Sequence, residues 1–314
     1  MSGTNGHPSD NSTNAFDWLA LGAALVTVVL WASAFVGIRA VAEELDPGPF
    51  ALARLLVASV ALGVLMLIRR PELPTRPRDW TLVAASGVVW FGFYFVALNA
   101  GERLVDAGTA AMLVNVGPIL IAILAGVFLR EGFPPRLLLG SSIAFAGTVI
   151  IAVATGIGSA QSAAPAGILL CLAAALAYAS GVTIQKPALA RVPALTVTAL
   201  ACWVGTLVTL PFAPGLGQAL GSLEVAAIGW IVYLGVFPTA IGFVTWAFAL
   251  NRTSAGRLGS TTYLVSPIAI LMAWVLLGEA PVPIALLGGA LAILGVIVAR
   301  SRGRPSLSLR RRTA

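Results

Sequence analysis

Ten stretches of this chain are apolar on every face, each close to the roughly 20 residues that a helix needs to cross the hydrocarbon core of a bilayer. They run over about 18–38, 48–68, 80–99, 105–128, 135–155, 165–185, 194–212, 225–248, 256–277 and 283–300. In lipid every backbone N–H and C=O must be satisfied inside the protein, which leaves helices or a closed barrel. A barrel strand would alternate apolar and polar residues over about ten positions, and these runs do not alternate. Only 10% of the 314 residues are charged, against roughly 25% in soluble domains. The sequence therefore predicts an all-α membrane protein with ten transmembrane helices.

The runs fall into two related halves. Glu131–Gly147 and Glu279–Gly295 align without a gap, pairing Pro135 with Pro283, Leu138-Leu139-Gly140 with Leu286-Leu287-Gly288, Ala144 with Ala292 and Gly147 with Gly295. Pro118-Ile119 and Pro267-Ile268 recur at nearly the same separation, as do Trp31-Ala32-Ser33 and Tyr178-Ala179-Ser180. Self-similarity at a fixed period marks a repeated structural unit. Each half holds five spans, an odd number, so the second copy must enter the membrane the other way up. The expected organisation is a disordered polar tail (1–16), a first five-helix repeat (17–158), a second, inverted five-helix repeat (159–300) and a basic tail (301–314).

Charge placement fixes the expected orientation. With a cytoplasmic N-terminus, alternate loops and the C-terminal tail hold 16 of the 19 Lys and Arg, leaving Arg39, Arg54 and Arg103. Lys and Arg concentrate on the cytoplasmic side of membrane proteins, so both termini are expected inside. The net charge of +7 is then explained by orientation, not by nucleic acid, for which no site is expected. The C-terminal cluster Arg300, Arg302, Arg304 and Arg310 to Arg312 reads as an anchor for anionic lipids of the bilayer. Cys171 and Cys202 lie in apolar runs without metal spacing, and the single histidine, His7, lies in the polar tail. No metal site and no cofactor are predicted.

Inverted repeats with interrupted helices are the architecture of secondary transporters, which bind a small molecule near the midplane and alternate access around it. Pro118 and Pro267 sit mid-span at equivalent positions and point to a cavity through helix kinks, or else only bend packed helices. Arg54 is the one charge well inside a span, and such charges are functional candidates by default. It reads as counter-ion to an anionic substrate group, or as a residue that snorkels to the outer interface or binds helix carbonyls. Asn115, three residues before Pro118, is the most central amide, for substrate or for an interhelical hydrogen bond. Trp31, Tyr94, Tyr178, Trp246 and Tyr263 offer an aromatic wall or interface anchors. Glu131 and Glu279 read as dipole partners for the starts of the fifth and tenth helices. The small-residue stripes of those helices (Gly140, Ala144, Thr148; Gly288, Ala292, Gly295) allow close backbone approach, within the bundle or in a homodimer. No acid lies deep in a span, so coupling to protons would fall to rim acids such as Glu102, Asp106 or Glu224. An intramembrane enzyme is disfavoured, since the spans carry no His, acidic dyad or Gly-x-Ser-x-Gly elbow.

Trp31-Ala-Ser33-Ala-Phe35, Pro49-Phe50-Ala-Leu-Ala-Arg54-Leu, Asn115-Val-Gly-Pro118 and the Glu131 and Glu279 segments, in this order over about 18–300, resemble the EamA-type branch of the drug/metabolite transporter superfamily. The resemblance implies a multi-pass carrier of the bacterial inner membrane that exports amino acids or other small metabolites. Its helices 1, 3, 4, 6, 8 and 9 would surround the cavity, with helices 5 and 10 to one side. It also implies cavity positions for Trp31, Ser33, Asn115, Pro118, Tyr178, Ser180, Ser266 and Pro267, and corresponds at Arg54 to the family's second-helix arginine. Ala201 occupies the equivalent place in the second half, so one pole alone carries that charge. A non-transporting membrane scaffold or sensor, or a carrier of another solute class such as nucleotide sugars, remains as the alternative.

Overall fold

The computed structural model describes residues 17–41, 44–105, 107–155, 164–277 and 281–301. Asp106, Glu279, both tails and the side chain of Arg39 lie outside what is described. Among the described residues the chain is helical throughout, with no strand. The helices are α1 (Trp18–Val41), α2 (Pro47–Arg69), α3 (Pro77–Ser86), α4 (Phe95–Glu102), α5 (Ala107–Val114), α6 (Gly117–Phe128), α7 (Pro135–Thr155) and α8 (Pro165–Leu189). They continue with α9 (Ala194–Thr209), α10 (Ala213–Ala219), α11 (Val225–Leu234), α12 (Gly242–Arg252), α13 (Ala255–Thr261), α14 (Val265–Leu277) and α15 (Pro283–Arg300).

Several of these run on into one another, giving eight helical segments long and apolar enough to cross a membrane, from Pro47–Arg69 to Pro283–Arg300. The chain is a multi-pass membrane protein. Proline opens α2, α3, α7, α8 and α15, where its missing N–H would have had no partner anyway and its fixed φ already suits a helix. The bundle is built with small residues inside and large ones outside. Ala51, Ala58, Ala174, Ala199 and Ala247 are buried, whereas Leu67 is 76% and Val275 79% exposed. Lipid is as apolar as leucine, so helices associate here through close packing and not through hydrophobic burial.

Two spans are interrupted at their middles by π-helical turns, Gly87–Tyr94 between α3 and α4 and Gly235–Ile241 between α11 and α12. Two more break beside the mid-span prolines, at 115–116 between α5 and α6 and at Thr262–Leu264, a 3₁₀ turn, between α13 and α14. Both pairs of interruptions recur at close to the separation of the sequence repeat. Pro118 lies in the first turn of α6 and cannot donate to the carbonyl four residues back, so the helix restarts there.

α7 and α15 pack along their glycine faces. A Cβ on Gly147 would stand 2.5 Å from Ala292 N and Gly288 O, and one on Gly295 would stand 2.6 Å from Gly140 O. The stripes that sequence alone left open to packing or to a homodimer are thus occupied within this chain, and a homodimer would have to use other faces. Replacing Gly147 or Gly295 by Val forces these backbones apart and should destabilise the folded protein by about 1–3 kcal/mol. Thermal unfolding in detergent checks this, with Gly229→Ala, where a Cβ meets nothing within 4 Å, expected to leave the transition unchanged.

Candidate functional site

A cavity of about 120 Å³ lies among α1, α2, the α3–α4 span, α5, α6, α8, α12 and the α13–α14 turn. One water needs roughly 10–15 Å³ by this kind of measure, so the space suits a small solute. It is bounded by the helices that the family resemblance placed there, with α2 in addition. Of the residues singled out from sequence, Trp31, Arg54, Tyr94, Asn115, Pro118, Tyr178 and Ser266 border it.

Arg54 is the charged wall. Its residue is 6% exposed, so the bundle encloses it. Its Nε–H donates to Thr239 Oγ1 at 2.6 Å, and its guanidinium lies 4.7 Å from the centre of the Phe95 ring. The acceptor exists because of the π turn around it. Pro238 has no N–H to give the carbonyl of Leu234; the π turn moves that carbonyl's partner to residue 239, whose Oγ1 also donates to it, at 2.8 Å. Trp31 Nε1 donates to the Pro238 carbonyl at 3.1 Å. The break in one helix therefore orients a cation from a second and an indole from a third. Of the five N–H donors of the guanidinium, four have no acceptor among the described residues, and the group borders the cavity.

The opposite wall is aromatic. Trp31 stacks on Trp246 with centroids 5.1 Å apart, Trp90 lies 5.5 Å from Tyr178, and Tyr94 lies 6.1 Å from Tyr178. Tyr178 is buried, and its hydroxyl makes no hydrogen bond of good geometry among the described residues. At the broken helices Asn115 Nδ2 donates to Ser266 Oγ at 3.3 Å, so this amide joins the two halves and borders the cavity as well.

Five expected residues lie elsewhere. Trp246 is 1% exposed and stands behind Trp31. Tyr263 is fully buried against Phe145, Ala144 and Val296, on the α7 and α15 side. Ser33 is bonded to Leu30 O and to the Tyr233 hydroxyl at 2.6 Å. Ser180 is half-buried on α8 without bordering the cavity, and Pro267 faces Gly289 of α15. The reason is angular: one or two residues along a helix turn a side chain to another face, and the breaks reset the phase. Sequence reasoning passed over Trp90, Phe95, Phe243 and Thr262, which border the cavity, and named Glu102 only as a rim acid beyond the span 80–99, although it ends α4 beside the cavity. The cluster of aromatics from Trp90 to Phe95 was the available signal.

At one end of the bundle, ion pairs cross between the halves. Lys186 Nζ meets Glu131 Oε1 at 2.7 Å, and the same carboxylate accepts the backbone N–H of Ala255 at 2.9 Å. Glu131 therefore caps α13, not the α7 start expected from sequence. Arg191 pairs with Asp79, and Arg252 with Asp17 at 2.7 Å. The Ala20 N–H and then Arg252 hold the Asp17 carboxyl below its ordinary value, and the bond to Asp79 raises Arg191 further.

Thr239→Val removes the acceptor for Arg54 and a donor for the Leu234 carbonyl while keeping the volume. It should cost about 1–3 kcal/mol through unsatisfied buried groups, read as a lowered thermal midpoint in detergent, with Thr239→Ser restoring it.

The profile of the EamA-like transporter family matches residues 18–153 and, a second time, 165–301. A protein of Streptantibioticus cattleyicolor named "Probable terminal-alkyne amino-acid exporter" is 40% identical, over 90% of this chain and 94% of its own. "Uncharacterized transporter YdfC" of Bacillus subtilis is 35% identical over 85% of this chain and 86% of its own. A "Probable amino-acid metabolite efflux pump" of Salmonella typhimurium is 27% identical over 88% and 92%. One crystal structure, 20% identical, superposes with a TM-score of 0.75 over 90% of this chain and 96% of its own, a likeness of fold.

Proposed function

The chain belongs to the EamA-like transporter family, and we propose that it exports amino acids or related small metabolites across a bacterial inner membrane by alternating access. The observation that carries this reading is Arg54, buried at an aromatic cavity with most of its donors unused. A carboxylate takes two of those donors in parallel, and the aromatic wall suits an apolar side chain. The names of two relatives, an amino-acid exporter and an amino-acid metabolite efflux pump, point to the same class of solute. The proposed binding set is Arg54, Trp31, Tyr94, Asn115, Tyr178 and Ser266, with Pro118 and Pro267 at the breaks that let the cavity walls move.

In this reading α1 and the α13–α14 stretch also cross the bilayer, giving ten spans in two inverted five-helix repeats, 17–158 and 159–300. Repeat-related contacts support it. Gly87 packs on the backbone of Ala201, and Gly235 on the backbone of Arg54, so each π turn rests on the other half at matching positions. The basic loops and tail support a cytoplasmic location for both termini, with the C-terminal arginines at anionic lipid. The ion pairs of Glu131, Asp79 and Asp17 then close the cytoplasmic end, and their release lets the halves rock.

Proteoliposomes loaded with a pooled metabolite mixture test the function. Wild type should selectively lose a few carboxylate-bearing solutes, and Arg54→Ala should lose that flux at least tenfold while remaining folded. Flux of every anionic solute unaltered by the substitution would remove Arg54 from the site. Equal retention in wild-type and empty liposomes would overturn the exporter reading. A periplasm-active reporter fused after Ala314 should be silent, and activity there would reverse the orientation.

A further inference from the structure

The cavity holds a second charge. Phe95, Leu98 and Glu102 lie three and seven residues apart on α4 and all border it. Seven residues of helix rise roughly 10 Å, so Glu102 stands about two turns from the ring that carries the Arg54 guanidinium. The carboxylate and the guanidinium share one largely apolar chamber, yet neither belongs to any of the ion pairs among the described residues. Each is also short of polar partners. Arg54 spends one donor on a neutral hydroxyl, and Glu102, half-buried at the end of α4, accepts no hydrogen bond among the described residues.

Charges taken from water are costly unless paired. A ligand with a single charge would compensate one of these two groups and leave the other uncompensated. A ligand carrying both charges compensates both. We infer that Arg54 and Glu102 form a two-point site for the zwitterion of an α-amino acid, with its carboxylate at Arg54, its ammonium at Glu102 and an apolar side chain against Trp31, Trp90 and Tyr178. Glu102 is thereby a specificity-determining residue: it selects amino acids over the oxo acids, simple carboxylates and amines of the same skeleton. This rests on the reading of the protein as an amino-acid exporter.

Two of the cavity residues are tryptophans, so binding to purified full-length protein can be followed by intrinsic fluorescence, free of the membrane leakage that small acids and amines suffer. The probes are propargylglycine, pentynoate and butynylamine, and in parallel phenylalanine, phenylpropionate and phenethylamine. Wild type should bind at least one of the two amino acids, and bind its deaminated and decarboxylated analogues at least tenfold more weakly. Glu102→Gln should weaken the amino acid at least tenfold and leave the carboxylate analogue unchanged or tighter. Glu102→Asp should recover part of the loss, which separates a charge effect from a folding defect, and a thermal unfolding trace confirms each variant is folded. Amino-acid binding unaltered in Glu102→Gln, or weakened in parallel with the carboxylate analogue, overturns the two-point site while leaving the exporter reading intact. Binding of neither amino acid by wild type, with export of other solutes from proteoliposomes, overturns the amino-acid reading itself.

Discussion

A proline in the middle of a membrane helix leaves a carbonyl that lipid cannot satisfy, and the way this chain heals the defect at Pro238 sets up its cavity. Thr239 turns its hydroxyl back to the Leu234 carbonyl and in doing so presents an acceptor to Arg54. The magnitudes explain why an arginine can sit there with no ion pair among the described residues. Placing a charge at the centre of a membrane helix costs about 2.5–3.5 kcal/mol on insertion scales. A hydrogen bond to a charged group returns about 1.5–3 kcal/mol, and a cation over an aromatic ring about 0.5–2 kcal/mol. Thr239 and Phe95 together offset part of the cost without neutralising the cation. The donors left over are what a ligand can use.

The same duplicated scaffold serves two purposes because its chemistry is not duplicated. π turns begin at Gly87 and Gly235, and each presses on the backbone of the opposite half, at Ala201 and Arg54. The backbone contacts are alike in the two halves. The side chains are not: a methyl group packs at one place, and a guanidinium reaches the cavity from the other. Duplication thus supplies matching backbone contacts in the two halves, and a single difference in side chain, Arg54 against Ala201, makes the cavity polar on one side.

Two kinds of contact join the halves. α7 and α15 meet backbone to backbone through glycines, at distances that leave no room for a Cβ. Elsewhere the halves meet through ion pairs of largely buried side chains, Lys186 with Glu131 and Arg191 with Asp79. Removing one partner of such a pair leaves a charge uncompensated and is far more costly than losing a surface pair.

The sequence by itself determined the class of fold, because a run of about 20 apolar residues in lipid has one low-energy backbone. It also determined the duplication, from Glu131–Gly147 against Glu279–Gly295, and the importance of Arg54, since a charge inside an apolar run stands out without any structure. Which residues meet around the cavity was decided only in three dimensions. Trp31 and Trp246 look alike in the sequence, yet one borders the cavity and the other stands behind it. Tyr263, expected in the aromatic wall, faces α7 and α15. Glu102 reads as a rim acid until α4 is seen to continue to it. Periodicity assigns faces only along an unbroken helix, and the π and 3₁₀ turns at Gly87–Tyr94, Gly235–Ile241 and Thr262–Leu264 shift the phase within the very spans that build the site. The breaks are stabilised by long-range contacts, such as Trp31 with Pro238 and Arg54 with Thr239, which no local window of sequence contains.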